Sequence, residues 1–194
     1  MVMGRFIYVC LLAVFLVALS GVASNAAAEG RIGTVLAVPE KGAVVVSATL
    51  EGGFPEEVVA ELRRGVPKDL FYTVTLKRRH RRFFDEEVAA RSVGFSIKYD
   101  TLQSRYRIRQ TDPDGKVTER EVPTYAEALS IVSHIDHVRI DIPPGGKRGI
   151  LYASVKAEMR AVKLPMYLDY VLFFIPILEF ETPWARSPNL ERVR

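Results

Sequence analysis

The run Ile150 to Val162 (ILYASVKAEMRAV) constrains the fold more than any other stretch of the chain. Leu151, Ala153, Val155, Ala157, Met159 and Ala161 fall on one side of an alternating pattern; Tyr152, Ser154, Lys156, Glu158 and Arg160 fall on the other. Period two specifies a β-strand with one dry and one wet face. At 3.3 Å per residue such a strand reaches about 43 Å, longer than most. It is therefore expected to bend or bulge and to serve both sheets of a sandwich.

Upstream segments supply partners for the dry face. Ile32–Val38 and Ala43–Leu50, split by Pro39-Glu40-Lys41-Gly42, read as a hairpin. Pro55 to Gly65 reads as a short helix: acids fill its first turn, arginines its last, and glycine stops it. Leu70, Tyr72, Val74 and Leu76 alternate with polar neighbours as a strand, followed by a loop from Arg78 to Glu87. Val93, Phe95, Ile97 and Tyr99 face inward on the first arm of a second hairpin, and Tyr106 and Ile108 on its return. Asp112-Pro-Asp-Gly115 marks a further turn, onto Lys116–Val122. Thr124 and Glu127 make a capping box for a second helix that ends near Ile135.

Together these elements predict a mainly β chain: an antiparallel β-sandwich, with the immunoglobulin-like form as one version of it, and two short helices in its connections. The chain has 194 residues, 48% of them apolar, which closes one core of ordinary size. Met1–Arg5 carries one positive charge, Phe6–Ala23 is uncharged, and Ala26 and Ala28 form an A-x-A site. That layout predicts a signal peptide over residues 1–28, with an uncleaved signal anchor as the alternative. Residues 29–182 then form a single exported domain, expected to be periplasmic, and 183–194 a flexible C-terminal tail. Cys10 is the only cysteine and lies inside the leader, so the mature chain has neither disulfide nor thiol chemistry.

The candidate binding residues are mostly cationic. Lys77, Arg78, Arg79, Arg81 and Arg82 lead into Phe83 and Phe84, and strand alternation puts Lys98, Arg105, Arg107 and Arg109 on the wet face of the neighbouring hairpin. If the two strands pair, these residues share a cationic surface suited to anionic lipid or to an acidic envelope protein. A solvated, self-paired hairpin tip is the competing reading, because Asp85-Glu86-Glu87 follows directly. Nucleic acid is a poor partner for an exported protein. Tyr170–Leu178 is apolar on both faces, and Val171, Phe173, Phe174 and Ile175 are the candidate wall of an apolar-ligand site between the sheets. His134 and His137, near Asp136 and Asp141, lack a convincing third metal ligand. No nucleophile elbow, zinc-protease helix or phosphate loop occurs. The composition therefore points to a protein without cofactor, metal or catalysis.

Several fragments in order, Leu62-Arg-Arg-Gly-Val-Pro67, Arg81-Arg-Phe-Phe-Asp85, Ile97-Lys-Tyr-Asp100 with Leu102, Arg105-Tyr106, Glu127-Ala-Leu129 and Leu164-Pro165, resemble the bacterial domain-of-unknown-function 4390 family across about Val44–Trp184. The resemblance implies an exported, mostly β domain of proteobacterial type. It also implies a cell-envelope role, since family members are often encoded near two-component sensor kinases. It implies no activity, ligand or catalytic residue.

Overall fold

A computed structural model describes residues 30–80, 84–144, 149–161 and 178–190. The strands are β1 (Arg31–Glu40), β2 (Ala43–Glu51), β3 (Lys68–Arg79), β4 (Glu86–Asp100), β5 (Arg105–Thr111), β6 (Val117–Val122), β7 (His134–Asp141), β8 (Ile150–Ala161), β9 (Leu178–Glu181) and β10 (Ala185–Arg186). Two helices join them, α1 (Glu56–Arg63) between β2 and β3 and α2 (Tyr125–Val132) between β6 and β7. A three-stranded antiparallel sheet, β1-β2-β7, packs on a seven-stranded one ordered β10-β8-β3-β4-β5-β6, with β9 also on β8. The expected sandwich and its two helices are both present.

The dry face of β8 is dry: Leu151, Ala153, Val155, Ala157 and Met159 are all buried. They share one buried core with Leu70, Tyr72, Val74 and Leu76 of β3 and, from the other sheet, Val44, Val46, Ile135 and Ile140. The expected crossing between sheets does not occur. β8 pairs with β3 in one unbroken register, from Lys68 opposite Ala161 to Arg79 opposite Ile150, and stays in the larger sheet. With a neighbour on each side, it has no free edge at which to bend away.

The wet face of β8 also departs from expectation, since Tyr152 and Ser154 are buried there. The cover is the C-terminal segment, expected to be a loose tail. Ala185 and Arg186 pair with Val155 and Ser154, and Leu190 N donates to Leu151 O at 2.8 Å. Where this edge strand is irregular, hydroxyls complete the ladder. Ala157 N donates to Thr182 Oγ1 and Ala153 N to Ser187 Oγ, both at 3.0 Å, while Thr182 N and Ser187 N donate back to Ala157 O and Ala153 O. Thr182→Val keeps the shape but orphans a buried N–H, so it is expected to cost about 1–3 kcal/mol in denaturant unfolding.

A further strand, β7, lies where a helix end was expected. α2 stops at Val132, and His134, Asp136 and His137 belong to β7. His137 has φ +55° beside a register shift opposite Val46/Ala48, so the alternation of Ile135, Val138 and Ile140 is interrupted by a bulge. His134 Nδ1 lies 2.7 Å from Ser130 O. Among the described residues no group of three His, Cys, Asp or Glu side chains is arranged for a metal.

Both helices are tied to β3. Thr124 caps α2, its hydroxyl accepting from Glu127 N at 3.3 Å, and the Val132 carbonyl accepts from the Tyr72 hydroxyl at 2.7 Å. On α1, the Glu61 carboxylate pairs with the ammonium of buried Lys68. Its hydrogen bond to Lys68, reinforced by the Lys68 charge, holds the Glu61 pKa below its ordinary 4.5. A lowered folded-state pKa means that the stabilisation is complete above the unfolded value of 4.5 and is lost as pH falls through the folded value. Glu61→Gln is expected to cost about 1–2 kcal/mol at neutral pH, below the 3–5 kcal/mol of a fully buried pair because Glu61 is half exposed. It should also flatten the acid limb of a stability–pH profile.

Candidate functional site

The paired strands β3 and β4 place the predicted cations on the larger sheet, in two separate groups. Lys77 and Arg79 lie on its outer face, opposite in phase to buried Leu76. Arg78 takes the alternate phase and donates to Glu86 Oε2 at 3.1 Å. Lys98, Arg105, Arg107 and Arg109 lie on the same outer face near the other end, Lys98 opposite Arg107 and Arg105 opposite Asp100. Since Lys77 pairs with Glu87, the two groups are separated by about 35 Å of strand at 3.3 Å per residue.

The far group is largely neutralised. Arg107 donates to Glu121 Oε1 at 3.0 Å and Arg109 to Glu119 Oε1 at 2.8 Å, both acceptors on the adjacent β6. Lys98 and Arg105 have no ion pair among the described residues. Asp100, whose carboxylate accepts from Gln103 N and Leu102 N at 3.0 Å, sits beside them with its pKa lowered by those bonds.

The near group gathers residues from three parts of the chain. Two cations lie against the Trp184 ring, with the Lys77 Nζ 5.0 Å and the Lys156 Nζ 5.4 Å from its centroid. Arg186 follows on β10, its guanidinium 5.2 Å from the centre of the Tyr152 ring. At the hairpin tip Phe84 is 99% exposed; Trp184 and Ile150 are also exposed. Arg81, Arg82 and Phe83 lie outside the described residues.

Asp85 organises this end. Its Oδ2 accepts from the Tyr152 hydroxyl at 2.7 Å and its Oδ1 from His80 N at 3.1 Å. The Tyr152 bond, then the His80 bond, lower the Asp85 pKa. Burial, then the same carboxylate, raise that of Tyr152. Glu86 is occupied by Arg78 and by His80, whose Nε2 is 3.3 Å away. Arg79 and Arg186 have no hydrogen bond or ion pair among the described residues. Asp85 and Glu86 are therefore taken up by Tyr152, His80 and Arg78, and neither forms an ion pair with these guanidiniums among the described residues.

Trp184, Arg186 and Tyr152 were not among the residues singled out from the sequence. Pro183 and Pro188 give the C-terminal segment the appearance of a tail, and its pairing with β8 leaves no periodicity to read. The pairing of Arg107 and Arg109 was missed as well, although the turn centred on Asp114 sets Glu121 and Glu119 directly opposite them.

The family model described as a domain of unknown function, DUF4390, matches residues 27–188. The chain belongs to that family. No curated protein and no solved structure matches this DUF4390 chain. Val171, Phe173, Phe174 and Ile175 lie outside the described residues. Two pockets lined by described residues are polar: one holds Arg79, Asp85, Tyr152 and Arg186, the other Gln110, Arg120, His134 and Asp136. In the second, the Gln110 amide donates to Asp112 and the Ser130 hydroxyl to Glu127 O, both at 2.8 Å.

Proposed function

We propose that this DUF4390 protein is a non-catalytic module of the cell envelope, exported to the periplasm, that docks on an anionic membrane surface through the hairpin-tip end of its larger sheet. The observation that carries the reading is the gathering, at one end of the larger sheet, of exposed rings and of cations that have no ion pair among the described residues. Lys77, Arg79 and Arg186 supply charge, and Phe84 and Trp184 supply apolar surface beside it. Basic residues attract anionic headgroups from a distance, and rings with one wet and one dry side settle at the interface. The described part of the chain has no helix long and apolar enough to cross a bilayer, so docking would be peripheral for that part.

Co-sedimentation with vesicles of phosphatidylglycerol and phosphatidylcholine, compared with pure phosphatidylcholine, tests the reading. The ratio of the two affinities cancels any contribution of the apolar run Phe6–Ala23, which does not depend on headgroup charge. A ratio well above one that falls as salt rises is expected. A ratio of one at low salt would remove the proposal, and capture of an acidic envelope protein in its place would redirect it.

A further inference from the structure

The docking end contains a cleft of about 360 Å³, lined by Arg79, Asp85, Tyr152, Arg186, Ser187 and Asn189, and we infer that it is a binding site for a phosphate ester. This inference rests on the docking reading for its biological ligand, an anionic phospholipid headgroup, but its chemistry stands on the cleft alone.

Two guanidiniums open into one small cavity, and neither has an ion pair or hydrogen bond among the described residues. Arg186 has its orientation set by the Tyr152 ring beneath it. A planar fork of N–H donors fits two phosphate oxygens at once, and a pair of forks fits a phosphate from two sides. The exposed Asn189 amide adds donors at the rim.

Asp85 is the obvious competitor, because its charge acts on both arginines. Its oxygens, however, are engaged by Tyr152 and by His80 N, and it has no ion pair with either guanidinium among the described residues. Tyr152 is itself buried, 3% exposed, which keeps its hydroxyl on Asp85 Oδ2. Ser187 is also spent, donating to Pro188 O at 2.9 Å and accepting from Ala153 N. What is left for a ligand is a surplus of donors, which suits an oxyanion. The volume exceeds what a bare phosphate needs, leaving room for its ester substituent.

Titration calorimetry with glycerophosphoglycerol, the soluble headgroup of phosphatidylglycerol, tests the site without a membrane. Saturable binding is expected, weakened at least tenfold by R79Q/R186Q. Asp85→Asn keeps an acceptor for His80 N while removing the competing charge, so it should tighten binding by roughly threefold. A gain in affinity cannot be produced by misfolding. Wild-type affinity in R79Q/R186Q, or no saturable heat at all, overturns the inference.

Inorganic phosphate in a parallel titration separates the sources. Tighter binding of the ester assigns a headgroup, and tighter binding of the free ion assigns soluble phosphate; either supports the phosphate site. Vesicle preference without headgroup binding sinks the cleft and leaves docking intact. Headgroup binding without vesicle preference supports the cleft and sinks docking.

Discussion

Tyr72→Ala is expected to destabilise the protein by about 3–5 kcal/mol, the usual range for truncating a buried aromatic ring. Tyr72 is fully buried on β3, where the two sheets and α2 converge. Its ring meets Phe95 edge-on at 5.9 Å, and its hydroxyl donates to Val132 O, the last residue of α2. Tyr72→Phe keeps the ring and removes only that donor, so it should cost about 1–2 kcal/mol, the penalty of leaving one buried carbonyl unsatisfied. Burial raises the Tyr72 pKa far above its ordinary 10.0, so the phenol stays protonated and the difference should not vary between pH 6 and 9, roughly the neutral range. Urea unfolding of both variants measures the two numbers. Equal losses in the two variants would mean that the hydroxyl, not the ring, ties the layers together.

Much of this architecture could be read from residue order, and the reason is physical. Leu151 to Met159 alternate because one side of β8 touches only other side chains. Thr124 and Glu127 mark a helix start because a local side chain satisfies a local N–H. Gly65, at φ +87°, stops α1 where a side chain would be strained. These are short-range causes and leave short-range patterns. β7 was hidden because the bulge at His137 breaks its period. Tyr152 and Ser154 looked exposed because the segment that covers them is distant in sequence and pairs through backbone and hydroxyl groups, which no hydrophobic pattern records. The candidate site suffered in the same way. Lys77 and Arg79 stood out as part of a basic run, whereas Trp184 and Arg186 are brought to the same end through two successive strand pairings, β10 on β8 and β8 on β3. Arg107 and Arg109 stood out as a stripe, yet one hairpin turn away β6 carries the carboxylates that neutralise it.

That neutralisation yields the other large expected effect. Changing Lys77, Arg79 and Arg186 together to Gln should weaken binding to phosphatidylglycerol vesicles about 100-fold, taking about 1 kcal/mol for each basic residue near an anionic surface. The loss should shrink as salt rises, because the attraction extends only about one Debye length, about 8–10 Å near physiological ionic strength. Phe84→Ser with Trp184→Ser should act differently, lowering affinity by about 1–2 kcal/mol at every salt concentration, since buried ring surface is not screened. Arg107→Ser with Arg109→Ser provides the contrast. Those residues are paired with Glu121 and Glu119, and they sit about 35 Å of strand from the tip, several screening lengths away. Their replacement should change vesicle affinity by less than about threefold. If it instead matches the triple Gln variant, the whole outer face faces the membrane. If the triple variant binds like the wild type, the cations at the tip have no part in docking.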